Sequence, residues 1–220
     1  MERGMSMMKS SVKKIGALVA AAVMVCAIFV GCSKYDTSTP DGALMTQLDA
    51  LKTGDFSQLE GYSKEAIEET GFTEAQLKDL MTSLFGKSTY TAQNVETVSD
   101  TEAKVTVSGK AVDMAKFIPI VSTEFLAKAT EFATKNDTTN MTAEEAQKQV
   151  MALFIDAAKA KKSSIELKDV TVTVTMEKKD GKWDVSSDDD NMNSLTELLA
   201  GSTTEELVES MQGLFGGSFA

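Results

Sequence analysis

Residues 170–185 constrain the fold more than any other stretch of this chain. Val170, Val172, Val174 and Met176 alternate with Thr171, Thr173, Thr175 and Glu177, and Asp180-Gly181 is followed by Trp183 and Val185. A period of two sends successive side chains to opposite faces, so this is a strand with one apolar and one wet side. Asp-Gly favours the two-residue turn whose twist matches antiparallel strands. With that turn, Met176 lies opposite Val185 and Lys178 opposite Trp183, and the apolar residues share one face. An isolated hairpin is at best marginal in water, so more strands and a cover must follow.

The further strands lie upstream. Ala103, Val105, Val107, Gly109 and Ala111 alternate with Glu102, Lys104, Thr106, Ser108 and Lys110. Tyr90 to Val98 is a weaker partner strand, joined to them by a turn at Ser99-Asp100-Thr101. Ile165 and Leu167 have the opposite parity to Val170–Met176, which predicts a β-bulge near Lys168-Asp169.

Helical signals surround the two hairpins. Thr39-Pro40-Asp41 combines an N-cap, a proline at the first helical position and an acid in the first turn. Leu44, Met45, Leu48 and Leu51 follow at helical spacing and end near Thr53-Gly54. A short helix is expected within 55–70. Thr73-Glu74-Ala75-Gln76 and Thr142-Ala143-Glu144-Glu145 are capping boxes, as are Ser194–Glu197 and Thr203–Glu206. From Phe117 to about Asn136 the 3.6-residue period returns through Ile118, Val121, Phe125, Ala129 and Phe132, and Asn136–Asn140 is a polar break. The order is helices, hairpin, helical pair (117–162), hairpin, terminal helices. Such runs indicate α+β, an antiparallel sheet from two hairpins with helices packed on it.

The N-terminus has a different logic. Arg3, Lys9, Lys13 and Lys14 precede an apolar run from Ile15 to Val30, which ends in Gly31-Cys32. Sixteen apolar residues are short for a membrane span of about 20 and fit a signal-peptide core. The segment resembles a bacterial lipoprotein signal, which implies cleavage between Gly31 and Cys32 and a diacylglyceryl lipid on the Cys32 thiol. The rival readings are an uncleaved membrane helix and a Cys32 that is simply a small buried residue. Two acyl chains on one cysteine suffice for stable anchoring, where one chain does not. The expected organisation is a signal peptide at 1–31, removed on maturation, and a lipidated tether at 32–38. One α+β domain follows at 39–220, with 187–220 a C-terminal helical extension. Seven residues from Ser33 to Thr39 reach about 25 Å when extended, so the domain is expected close to the outer face of the cell membrane.

Composition narrows the function. The chain has 33 acidic and 22 basic residues, a net charge of −11, and no histidine. Four of the basic residues lie in the signal segment, so the remainder is more acidic still. That argues against nucleic acid, whose binding requires phosphate neutralisation. Without histidine there is no Ser-His-Asp or Cys-His arrangement and no imidazole metal ligand. No cofactor is implied. Asp188-Asp189-Asp190-Asn191 with Asn193 has an EF-hand's early spacing, but Ser194 stands where glycine belongs and Ala200 where glutamate belongs. A solvated acidic helix start is the better account. Glu144-Glu145 and Glu205-Glu206 likewise fall in first turns, and Lys159, Lys161 and Lys162 suit a helix C-terminus.

Thr39-Pro40-Asp41 through Gly54-Asp55-Phe56, with Asp180-Gly181-Lys182-Trp183-Asp184-Val185, resembles the nuclear-transport-factor-2-like (cystatin-like) domains of Gram-positive lipoproteins of unknown function. The resemblance implies a cone-shaped curved sheet wrapped on helices, with an apolar cavity at its open end. Trp183, Tyr90 and Tyr62 are the candidate lining residues, although a tryptophan on a hairpin's apolar face is more often core. The leading expectation is a non-catalytic binding or interaction module whose partner is a small apolar ligand or an envelope protein. The rivals are an enzyme using carboxylates in the cavity and an accessory part of an uptake system. The enzyme needs an inward-pointing acid, whereas strand parity turns Glu102, Glu166 and Glu177 outward.

The anchor has a direct test. Cys32→Ser is expected to move the protein from the membrane fraction to the soluble one, and unchanged membrane retention would remove lipidation as the anchoring device.

Overall fold

A computed structural model of the chain describes residues 34–55, 73–136 and 141–215. The signal segment with Gly31 and Cys32, the helix expected within 55–70 and Tyr62 lie outside the described residues. Within them, α1 spans Pro40–Thr53, α2 Glu74–Phe85, β1 Thr89–Ser99, β2 Glu102–Val112 and α3 Met114–Lys135. These are followed by α4 at Ala143–Ala160, a 3-10 turn at Lys162–Ser164, β3 at Leu167–Lys179, β4 at Lys182–Val185, α5 at Asp189–Ala200 and α6 at Thr204–Phe215.

The sheet order is β1-β2-β3-β4, all antiparallel. It is a meander whose middle connection carries the α3–α4 pair. Val105 pairs with Val174, Val107 with Val172 and Ala103 with Met176, so both strands put their apolar residues on one side. α1 and α5 cover that side, and Leu44, Leu48, Leu195 and Leu198 complete a buried cluster with the strand valines. The other side is polar. Thr106 and Thr173 bring their hydroxyls within 3.1 Å, and Lys110 pairs with Asp169 at 3.0 Å. The β3–β4 turn has Asp180 at φ 51° and Gly181 at φ 81°, the left-handed pair that this turn requires. Met176 faces Val185 and Lys178 faces Trp183, in the register that the two-residue turn dictates.

The bulge expected near Lys168-Asp169 is absent. Lys110, Ala111 and Val112 pair without interruption with Asp169, Lys168 and Leu167. Leu167 and Val112 need no change of parity, because this end of the sheet is apolar on both sides. Both join a second cluster with Phe117, Val121, Phe125, Met151 and Ile155 of α3 and α4. Ile165, also in that cluster's surroundings, precedes the strand. The irregularities lie in β1 instead, between Ala92 and Asn94 and between Thr97 and Ser99. They break its alternation and leave Val95 and Val98 39% and 48% exposed. Gly109 sits opposite Tyr90, where an added Cβ would meet the Thr89 carbonyl oxygen.

Helix ends follow the chemistry of their caps. Thr39 Oγ1 accepts from the Gly42 amide at 3.2 Å, and both members of the Thr73/Gln76 and Thr142/Glu145 capping boxes are formed. α3 starts three residues before Phe117, because Asp113 caps it by accepting from the Lys116 amide. Pro119 lies within its second turn, and the Thr123 hydroxyl donates back to the Pro119 carbonyl.

Asn191 holds α5 to the sheet. Its Oδ1 accepts from the Thr175 amide at 2.6 Å, and its Nδ2 donates to the Thr175 and Ser186 carbonyls at 3.0 and 2.7 Å. The side chain acts as a short piece of strand where β4 has ended. Asn191→Ala leaves the Thr175 amide without its acceptor and is expected to cost about 2–3 kcal/mol. Urea denaturation measures this, and a loss below about 0.5 kcal/mol would mean that water substitutes for the side chain.

Candidate ligand cavity

Four helices converge beside the sheet and leave space between them. Each contributes residues three or four apart, the spacing that places side chains on one helical face. α1 supplies Leu48 and Leu51, and α2 supplies Leu77, Leu80, Met81 and Leu84. α3 supplies Met114, Phe117, Ile118 and Val121, and α4 supplies Met151, Phe154 and Ala158. Tyr90 of β1 and Leu199 of α5 close the remaining side. The cavity measures about 80 Å³. Its lining is almost wholly apolar, with polar side-chain atoms only from Lys52, Ser122 and Tyr90. Lys52, Leu77, Phe85, Tyr90, Ile118, Ser122 and Phe154 are half-buried, whereas Leu48, Met81 and Phe117 are buried.

The candidate aromatic residues separate. Tyr90 lines the cavity. Trp183 does not; it is 9% exposed, packs into the sheet cluster, and has the Lys178 ammonium 5.5 Å from its ring centre. Lys178 is its cross-strand partner, so the same register that buries the indole sets the cation over it. Tyr62 lies outside the described residues.

Tyr90 has unusual surroundings. Its hydroxyl oxygen and the Ser88 Oγ are both buried, and neither makes a geometrically sound hydrogen bond. Burial pushes the phenol up to about 12, and the Ser88 hydroxyl beside it, within hydrogen-bonding range, opposes that rise. The phenol therefore stays protonated and remains a donor. Buried polar atoms without partners are uncommon, because each forfeits its hydration. The sequence offers Tyr90 as a lining residue; the burial of its hydroxyl beside Ser88 emerges only from the packing.

The charged candidates have ordinary structural partners. Asp188 caps α5 by accepting from the Asn191 amide at 2.9 Å, and Asp189 and Asp190 lie in its first turn. No group of three or more potential metal-ligating His, Cys, Asp or Glu side chains occurs among the described residues. Glu145 and Glu206 accept from the amides of Thr142 and Thr203. Lys159 pairs with Asp79 of α2 and Lys161 with Glu124 of α3, so the basic end of α4 ties three helices together. Glu166 pairs with Lys116, and Glu177 accepts from Ser186, which with Lys179 holds its carboxyl below the usual range.

Asp184 is the buried acid of the sheet edge, only 8% exposed. Its Oδ1 accepts from Val185 N at 2.8 Å and from Gln47 Nε2 at 3.1 Å. Burial outweighs these bonds and raises its pKa. It is not among the residues lining the cavity.

These features define an α+β protein: a four-stranded antiparallel meander with a helical pair in its middle turn and an apolar cavity among its helices. Residues 38–200 match the model of a domain of unknown function, DUF5105, and the chain belongs to that family. Among solved structures it is similar to YcdA of Bacillus subtilis, provisionally described as a lipoprotein, at 21% identity and a TM-score of 0.43. The match covers 86% of this chain and 55% of that one, so it spans little more than half of YcdA. No curated protein matches the chain.

Asp184 gives a pH-dependent prediction. A carboxyl whose pKa is higher folded than unfolded destabilises the fold once both states are ionised, and relieves it as pH falls through the raised pKa. Asp184→Asn keeps an acceptor for Val185 N and Gln47. It is expected to be more stable than the native chain at pH 7, with the difference shrinking between pH 6 and 3. A difference that grows on acidification would reverse the assignment.

Proposed function

We propose that this chain is an extracytoplasmic lipoprotein of the cell envelope that acts as a non-catalytic binding module and holds a small apolar ligand in the helical cavity. The cavity carries the reading: four helices from separate parts of the chain turn apolar faces towards a space they do not fill. No carboxylate lines it among the described residues, and the buried acid Asp184 belongs to the sheet edge. The absence of histidine supports a binding role over catalysis. Anchoring is assigned to a diacylglyceryl lipid on Cys32, on the strength of the apolar run that ends in Gly31-Cys32. In this reading the sheet, with α1 and α5 on its apolar face, is a cystatin-like cone, and the cavity is its open end. The short tether keeps the domain near the bilayer, where apolar small molecules concentrate.

Ala158 offers a test, because leucine there adds three carbons to a space of about 80 Å³. Native mass spectrometry of the full chain from its own host is expected to find a reproducible small-molecule adduct, absent from Ala158→Leu. That variant is also expected to be about 1–2 kcal/mol more stable, as filled cavities are. A clean ligand-free mass for the native chain, with only the gain in stability, would make the cavity a packing defect.

A further inference from the structure

The two edges of the sheet are built differently. At one, β4 is four residues long and bears Lys182, and Asn191 takes up the Thr175 amide beyond it. At the other, β1 is eleven residues long, has no lysine or proline, and carries Glu96 as its one charge. Short length, lysine and proline are what keep an edge from pairing with another chain. Every residue from Gln93 to Ser99 is exposed, so nothing stands over either face or the free edge there. The irregularities of β1 blunt part of it, but Asn94 to Thr97, between them, pairs regularly with Thr106 to Ala103. The ladder also tells which groups that edge presents. The Lys178 amide donates to the Thr101 carbonyl at 2.8 Å, so even-numbered β3 residues bond to odd-numbered β2 residues. The even-numbered β2 residues therefore turn to β1, where Thr106 and Lys104 face Asn94 and Glu96. Val95 and Thr97 are left with N–H and C=O groups directed away from the sheet.

We propose that two copies of this chain join antiparallel along β1, with Val95 opposite Val95 of the second copy on a two-fold axis, to make one sheet of eight strands. The strand itself selects that register. Within the regular run, an axis at Val95 or at Glu96 sets each residue opposite one on the same face. The axis at Glu96 brings two carboxylates together, which is unfavourable. The axis at Val95 pairs Glu96 with Asn94 and Gln93 with Thr97, so no like charges meet. The exposed Val95 is then covered by its own copy. Lys104 is the β2 partner of Glu96 and offsets its charge. The chain has a net charge of −11, and a strip whose single charge is offset is where two such chains can approach.

The full-length chain in membranes of its own host supplies the first test. Val95→Cys, treated with a short thiol-to-thiol cross-linker, is expected to give a product of twice the chain mass. The native chain and Val208→Cys, a similarly exposed valine on α6, are expected to give none. Charge substitutions test the axis. Val95→Lys and Val95→Glu should each weaken self-association of the full chain about tenfold, read by sedimentation in detergent. Mixing the two variants should restore it to within about threefold, because lysine then faces glutamate across the axis. Restoration also shows that both variants are folded. A native chain that is monomeric by sedimentation and gives no cross-link at Val95→Cys overturns the proposal, as does a dimer that both charge variants leave intact. Failure of the mixture to recover overturns it too. Cross-linking of Val95→Cys to a protein of another mass would do the same, by making β1 the seat of a different envelope protein.

Discussion

Eleven consecutive residue pairs join β2 to β3, from Glu102 with Glu177 to Val112 with Leu167, and the rest of the molecule is arranged around that ladder. Its register decides which side of the sheet is apolar. A slip of one residue in β3 would turn Val172 and Val174 to the wet side and bring Thr173 in beside Val105 and Val107. α1 and α5 have somewhere to pack only because the register is kept. Both ends of the ladder are secured. At one, Asp180-Gly181 reverses the chain into β4, and Asn191 continues the hydrogen bonding beyond it. At the other, Val112 and Leu167 anchor the helical pair.

Much of this architecture is legible in the residues themselves. The valine–threonine alternation of β3, the Asp-Gly turn and the capping boxes at Thr73 and Thr142 are local signals, and local geometry follows from them. β1 is less legible, because two irregularities interrupt its period and the far end of the strand is uncovered. The bulge expected near Lys168 came from assuming that one strand has one apolar face throughout. The two-sided burial of Leu167 and Val112 depends on helices some way along the chain, and no window around residue 168 carries that information.

The candidate site is less legible still. Trp183 has the composition of a pocket residue and the position of a core residue, because β3 pairing draws it onto the sheet. The cavity is assembled from α1, α2, α3 and α4, whose apolar stripes look alike in sequence whether they meet tightly or leave a gap. Asn191 shows the converse. In sequence it belongs to an acidic run with the look of cation ligands, and in the fold its amide replaces a missing strand.

The meander needs no helices between β2 and β3 to pair, yet α3 and α4 occupy that turn and form one side of the cavity. Two tasks are thereby divided between different stretches of chain. The ladder keeps the protein folded, and an excursion from its middle turn shapes the cavity. Substitutions along the inner stripe of α3 or α4 can resize or reshape the chamber while the strand register stays as it is.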